Sequence, residues 1–349
     1  MHAAHNDTET PYADLTPDLV LDALEALGQA VDGRVLQLNS YENRVFQIGL
    51  DGGSFVVAKF YRPGRWSDAQ ILEEHTFAHE LVTAEVPAVP PMTLLATPDK
   101  GATVQGDLAT LGFYKGHRVA VSPRRGGRSP ELEDPEVLTW LGRFLARLHA
   151  VGSQHPFEHR LSLGVDQIGR SARQWLANSD DSLPIEQRSN WLAVTDQALD
   201  LCQQAFERID GLRMRRLHGD CHPGNILWTP EGPHFVDLDD ACMGPAVQDF
   251  WMMLSGDPRE RQTQLHALLE GYESFGEFDW RELKLVEPLR TLRIIHHSAW
   301  LARRWHDPAF PAAFPWFGTA MYWQQQIDLL RQQIEVMQTP DEQPFWMAD

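Results

Sequence analysis

Cysteine is scarce. Cys202, Cys221 and Cys242 are the only three in 349 residues, and no pair stands at the C-x-x-C spacing. An odd number without that spacing argues against a disulfide framework and a thiolate zinc site, and is expected of a reducing, cytoplasmic setting. Long apolar runs are also missing. None approaches the roughly 20 residues of a spanning helix, so no membrane partner is expected. The opening "MHAAHNDTETPYADLTPD" lacks the basic-then-apolar pattern of a secretory leader. Positive charge is in deficit: 30 Lys and Arg stand against 49 Asp and Glu, a net charge of −19. Such a surface repels nucleic-acid backbones and anionic lipid, so no nucleic-acid partner is expected either. "RMRRL" (213–217) and "PRRGGR" (123–128) read as solvated basic edges. Internal repeats and low-complexity tracts are absent, and the chain has enough apolar residues, 43%, for two compact parts.

What is present falls into two halves. Thr16 and Pro17 open a helix over 15–28, and Gly28 stops it. "RVLQLNSYENRVFQIGL" and "SFVVAKFY" are rich in Val, Phe and Tyr and flank Asp51-Gly52-Gly53, a hairpin signal. Helical spacing returns over 68–82, and 102–123 reads as two or three short strands. After 124–135 the pattern is helical, with helices expected over 136–152 and near 166–178, 188–210, 247–255, 260–275, 280–305 and 317–337. The exception is "RRLHGDCHPGNILWTPEGPHFVDLDDACMGP" (215–245), where two strand-like runs, "NILWT" and "HFVDL", enclose a Pro-Glu-Gly-Pro turn. The expected fold is therefore α+β. A small antiparallel sheet lobe spans residues 1–123, and a mainly helical lobe spans 124–349. The tail "QTPDEQPFWMAD" reads as a partly docked end.

Two chemistries could explain residues 215–245. His218 and His222 are four apart, as in a zinc-binding H-E-x-x-H helix, but Gly219, Pro223 and Gly224 oppose a helix and remove the meaning of that spacing. Phosphoryl transfer fits better. A kinase catalytic loop needs an Asp facing the acceptor hydroxyl and an Asn five residues later for magnesium, which Asp220 and Asn225 supply in the loop 218–225. A second metal-binding Asp is expected after the next strand, and Asp237 closes "HFVDL" at the start of a metal loop, 237–240. Carboxylate and amide oxygens suit hard magnesium bridging the phosphates of ATP. Lys59 is the only charge in "FVVAKFY", and it needs a carboxylate partner. Glu74 shares a helix face with Phe77, Ala78 and Leu81 and is the choice, with Glu73 as its rival. His218 reads as an orienting residue. His222 stays open between loop structure and phosphate or substrate contact, and Asp239 between a metal and a structural carboxylate. Asp249 reads as an N-cap or a loop brace.

"HGDCHPGNIL" with "VDLDD" resembles the aminoglycoside-phosphotransferase and homoserine-kinase group of the protein-kinase-like fold. "LNSYENRVFQI", "RWSDAQILEEH", "FVDLDDACMGPAVQDFWMML" and "LARRWHDPAFPAAFPWF" are similar to the bacterial stress response kinase A family over roughly 15–340. The resemblance implies a bilobal, cytosolic, monomeric serine/threonine protein kinase using magnesium and ATP. It also implies autophosphorylation and protection against envelope and oxidative stress, opposing toxin-driven cell death. Carried over, Asp220 is the proton acceptor, Asn225 a magnesium ligand, and Asp237 a magnesium ligand counted with the catalytic residues. Ser40 lies near ATP in a nucleotide-covering loop, 39–45.

The chain departs from ordinary kinases in four places. No G-x-G-x-x-G covers the phosphates; Ser40, Asn43 and backbone amides of "NSYENR" can contact them instead. The Ala two before the Lys becomes Val57. "HRD" becomes "HGD", losing the Arg that reads a phosphorylated activation loop, and "DFG" becomes "DLD". A phospho-switched activation loop is therefore not expected. Two rival readings use the same residues: a kinase of small amino alcohols, sugars or aminoglycosides, and a pseudokinase that binds nucleotide without transfer. "HHSAWLARRW" (296–305) reads as helix packing with an Arg-rich edge.

Overall fold

A computed structural model of the chain describes residues 11–179 and 182–338. By contact it forms two compact units. The first holds residues up to Arg128 together with Leu227–Asp239; the second holds Ser129–Ile226 and the residues from Asp240 onward. The tail expected to dock, 338–349, lies outside the described residues apart from its first position. Among the described residues no helix is long and apolar enough to cross a membrane.

The first unit begins with helix α1 (Pro17–Ala26), whose Thr16 side chain accepts a hydrogen bond from the Leu19 amide. Strands β1 (Val31–Leu38), β2 (Arg44–Leu50) and β3 (Phe55–Phe60) follow. Helix α2 (Asp68–Thr83) starts at a capping box between Ser67 and Gln70. Strands β4 (Thr103–Gln105), β5 (Leu111–Tyr114) and β6 (His117–Pro123) complete an antiparallel six-stranded sheet of order β1-β2-β3-β6-β5-β4.

Period-two alternation divides the faces of this sheet. Val56, Ala58 and Phe60 of β3 join Val119 and Val121 of β6 in a core with Val20, Ala23 and Leu24 of α1. Tyr61 and Ala120 join Ile71 of α2 on the other face. Lys59, in register with Val45 and Ala120, thus stands on a central strand and on the α2 face, away from any sheet edge.

The second unit is helical: α3 (Pro135–Gly152), α4 (Ser171–Ala177) and α5 (Ile185–Glu207). The chain then passes through β7 (Arg215–Leu217). The hairpin β8 (Ile226–Thr229) and β9 (Gly232–Phe235) lies within the stretch that groups mainly with the first unit. Strand β10 (Cys242–Gly244) returns to pair antiparallel with β7. Helices α6 (Gln248–Trp251), α7 (Pro258–Glu273), α8 (Val286–Arg303), α9 (Ala309–Ala313) and α10 (Ala320–Gln338) finish the unit. Trp191 of α5 and Trp323 of α10 meet edge to face at 5.6 Å in its core.

The expected α+β composition is what the structure shows: a sheet first, helices after. Several details differ. The helix expected over 247–255 is one turn that ends at Trp251, and the chain then passes Gly256 at φ +87° into the Asp257 capping box of α7. The segment 280–305 opens with a tighter turn over Trp280–Leu285, and the segment 166–178 with a wider one over Val165–Arg170. "RMRRL" is not wholly a solvated edge. Arg215 and Arg216 are buried in β7, where Arg216 donates to the Val151 carbonyl at 2.9 Å and Arg215 lies 3.5 Å from Glu282. Arg124, Arg125 and Arg128 of "PRRGGR" are exposed, as expected.

Candidate active site

The first unit gathers a polar cluster on the α2 face of its sheet. Lys59 Nζ donates to Asp237 Oδ1 at 3.0 Å and lies 3.7 Å from Glu74 Oε1 and 3.6 Å from Asp239 Oδ1. Of the two candidate glutamates, Glu74 is the one at the lysine; it is buried, as its place beside Phe77, Ala78 and Leu81 requires. Burial works against the charge on Lys59. Asp237, Glu74 and Asp239 more than offset it and hold the ammonium well above its ordinary range.

Asp237 follows β9 with φ +59°, a left-handed conformation that a non-glycine residue adopts at a cost. Its carboxylate is 54% exposed, while that of Asp239 is 4% exposed. Arg65 donates to Asp239 Oδ2, and Asn43 Nδ2 donates to the same oxygen at 3.1 Å. Asn43 Oδ1 in turn accepts from the Arg62 amide at 3.1 Å. Asn43 therefore uses both ends of its side chain inside the protein, tying loop 39–45 to loop 237–240. Ser40 is half-buried in the same loop, and its hydroxyl has no hydrogen bond among the described residues.

The second unit builds loop 218–225. Gly219 is at φ +84°, and a Cβ there would stand 2.1 Å from the Asp240 carbonyl oxygen. This contact is the physical reason for glycine where ordinary kinases carry Arg. Fully buried Asp249 accepts from the His218 and Gly219 amides, each at 2.9 Å, and Gln248 donates to the Gly219 carbonyl at 2.9 Å. Asp249 is thus a loop brace. It lies inside α6, whose N-cap is Val247. Behind it, His149 Nε2 is 3.1 Å from Asp249 Oδ2, and Nδ1 is 3.1 Å from the Tyr272 hydroxyl. Burial lowers the His149 pKa despite the adjacent carboxylate. A neutral ring donating from Nε2 and accepting at Nδ1 satisfies both partners.

At the end of this loop, Asn225 Nδ2 donates to the Asp220 carbonyl at 3.0 Å. Its Oδ1 carries no hydrogen bond among the described residues. Asp220 Oδ1 accepts from Arg293 of α8 at 2.9 Å, and Oδ2 lies 3.5 Å from His222 Nε2. Burial pulls the Asp220 pKa upward, but the His222 and Arg293 contacts outweigh it and keep the group firmly anionic. His222 Nδ1 accepts from the Gly224 amide at 3.0 Å, so its ring is held within the loop.

Among the described residues no three or more His, Cys, Asp or Glu form a ready-made metal cage. Magnesium usually binds through one or two protein oxygens plus substrate phosphates, and Asp237 and Asn225 each offer a hard oxygen of the right kind. Sequence reasoning missed Arg293, which no local spacing links to Asp220 across 73 positions. It also missed Arg65, which lies within "RWSDAQILEEH" but has no motif of its own.

Comparison with known proteins gives this chemistry a family. The model of the phosphotransferase enzyme family matches residues 34–286. The chain is 42% identical over 335 residues to the stress response kinase A of Escherichia coli (strain K12), covering 96% of this chain and 97% of that protein. It is likewise 42% identical to the serine/threonine protein kinase RdoA of Salmonella typhimurium (strain LT2), over the same shares of each chain. Among solved structures, an amicoumacin kinase in complex with AMP-PNP, Ca2+ and Ami aligns with a TM-score of 0.69 at 19% identity, covering 99% of this chain and 98% of that one. A microcompartment-associated aminopropanol kinase aligns at 0.64, also at 19% identity, covering 95% and 99%. At such identity these structures speak for the fold alone, while the sequence relatives reach further. The chain is a kinase belonging to the stress response kinase A family of phosphotransferase enzymes.

Proposed function

We propose that this kinase transfers the γ-phosphoryl group of ATP to serine and threonine hydroxyls of proteins, its own included, with magnesium, as part of a stress response. One observation carries the protein acceptor: a relative named as a serine/threonine protein kinase is 42% identical over 96% of the chain. In this reading residues 1–123 supply most of the nucleotide grip and 124–349 the acceptor side.

Lys59, kept cationic and aimed by Glu74, grips the α- and β-phosphates. Ser40 covers the nucleotide, and Asn43 holds that cover to the metal loop through Asp239. Asn225 and Asp237 are the magnesium ligands, and Asp237 is counted with the catalytic residues because its oxygen also engages Lys59. Bound magnesium would neutralise charge on the phosphates. Asp220 is too weak a base to strip a hydroxyl in the ground state. Its work is to align the acceptor oxygen and take the proton late, as transfer completes. Burial and fixed partners supply the preorganisation that makes such alignment effective.

Labelled ATP, magnesium and a generic protein acceptor test the proposal, with amino alcohols, homoserine, choline and an aminoglycoside in parallel. Label on protein is the expected result. Label only on a small alcohol would replace it with small-molecule kinase activity, and nucleotide binding without transfer would make the chain a pseudokinase.

A further inference from the structure

Helix α8 contains a line of side chains that the proposed chemistry does not yet use. It starts at Arg293, whose guanidinium donates to Asp220 while its side chain stays 51% exposed. His297, exposed, follows at i+4, Trp300 at i+7, and Arg304 at i+11, just past the helix end. These positions fall on one helical face. The rings of His297 and Trp300 stack at 5.5 Å with 23° between their planes, and the Arg304 guanidinium lies 5.6 Å from the Trp300 ring. The line is contiguous and begins at the group proposed to receive the acceptor hydroxyl.

Its charge opposes that of the whole chain. Residues 288–306 contain four Arg and three His and no Asp or Glu, in a protein carrying −19 overall. Packing accounts for part of this: Arg303 lies over Trp175, and Arg290 pairs with Glu287. Arg293 is paired with Asp220 and His297 is stacked on Trp300, yet each keeps an exposed side toward solvent. A cationic acceptor, such as an amino alcohol or an aminoglycoside, would meet repulsion along this line. A carboxylate-bearing one would meet the guanidinium groups of Arg293 and Arg304 at the two ends of the line.

We infer that this face of α8 selects the acceptor, and that the acceptor is a protein segment with acidic residues close to its phosphorylated Ser or Thr. The inference rests on the protein-kinase reading above. From 293 to 304 the helix rises roughly 16 Å, the reach of about five residues of extended chain. Carboxylates within about five positions of the acceptor hydroxyl are therefore the ones read.

The test uses the full chain, ATP, magnesium and three Ser peptides of equal length, flanked by Glu, by Ala or by Lys. The expected result is a kcat/KM order of Glu, then Ala, then Lys, with the Glu advantage shrinking as salt rises. Arg304→Gln is expected to raise KM for the Glu peptide roughly three- to tenfold with kcat and the KM for ATP little changed. Arg304→Glu should lift the Lys peptide relative to the Glu peptide, and an unchanged KM for ATP with an unchanged melting temperature guards against a folding defect in either Arg304 variant. Peptides turned over equally, or a Lys preference in the wild type, would overturn the inference while leaving protein-kinase activity standing. Transfer to small alcohols with none to any peptide would overturn the reading beneath it.

Discussion

At the scale of single residues, the carboxylates around Lys59 divide by burial. Asp237 is open and Asp239 is closed, although they stand two apart in "DLD". Asp239 is a structural anchor in this arrangement, holding Arg65 and Asn43. Its replacement by Ala would strand those donors, and a urea titration should register a loss of about 3 kcal/mol; unchanged stability would show that the anchor contributes nothing. The glutamate rivalry also resolves into a measurement. Glu74→Gln should raise the KM for ATP about tenfold, and Glu73→Gln should leave it within about twofold, since only Glu74 lies at the lysine. Lys59, Asp220 and Asn225 stand out in the sequence because phosphoryl transfer demands particular residue types at particular spacings, and their roles belong to the proposed function. Arg65 and Arg293 do not stand out, because they reach their partners 174 and 73 positions away, and only the folded chain brings them there.

At the scale of elements, α3 and α7 pack closely through glycine. A Cβ on Gly142 would stand 2.0 Å from the Leu268 carbonyl oxygen, and one on Gly271 2.0 Å from that of Thr139. Gly142→Ala is expected to cost about 3 kcal/mol in a denaturant titration, since backbone on the facing helix cannot yield as a side chain can. A neutral outcome would mean that the pair is looser than described. The same helix carries His149, whose folded pKa is depressed from its ordinary 6.5. Below that value the unfolded chain binds the proton more readily. Stability present at pH 7 is therefore lost as pH falls through 6.5 toward the lowered folded value. His149→Gln should flatten that part of a melting-temperature profile between pH 7 and 5, and an identical slope in the variant would place the titration elsewhere. The long helices and the sheet were readable from period and caps. Strand β7 is different: Arg215 and Arg216 read as solvated because their partners, Glu282 in the turn before α8 and the Val151 carbonyl of α3, are distant in the sequence.

At the scale of the whole molecule, the chain order and the compact units do not coincide. Leu227–Asp239 belongs with the first unit although it lies deep in the second half of the sequence. Reading along the chain assigned that hairpin to the helical part, since its short strands give no sign of where they pack; the contacts of Ala88 with Phe235 and of Arg128 with Trp228 make the assignment. This interleaving lets one hairpin carry Asn225 before it and Asp237 after it, each set in its own unit. The central claim is that these groups perform phosphoryl transfer with Asp220 aligning the acceptor. Single-turnover transfer from labelled ATP to a protein acceptor, comparing the wild type with Asp220→Asn at matched folded fraction, tests it most directly. The account predicts that the variant keeps its fold and its nucleotide binding while transfer falls by about 100-fold or more; transfer at the wild-type rate would contradict it.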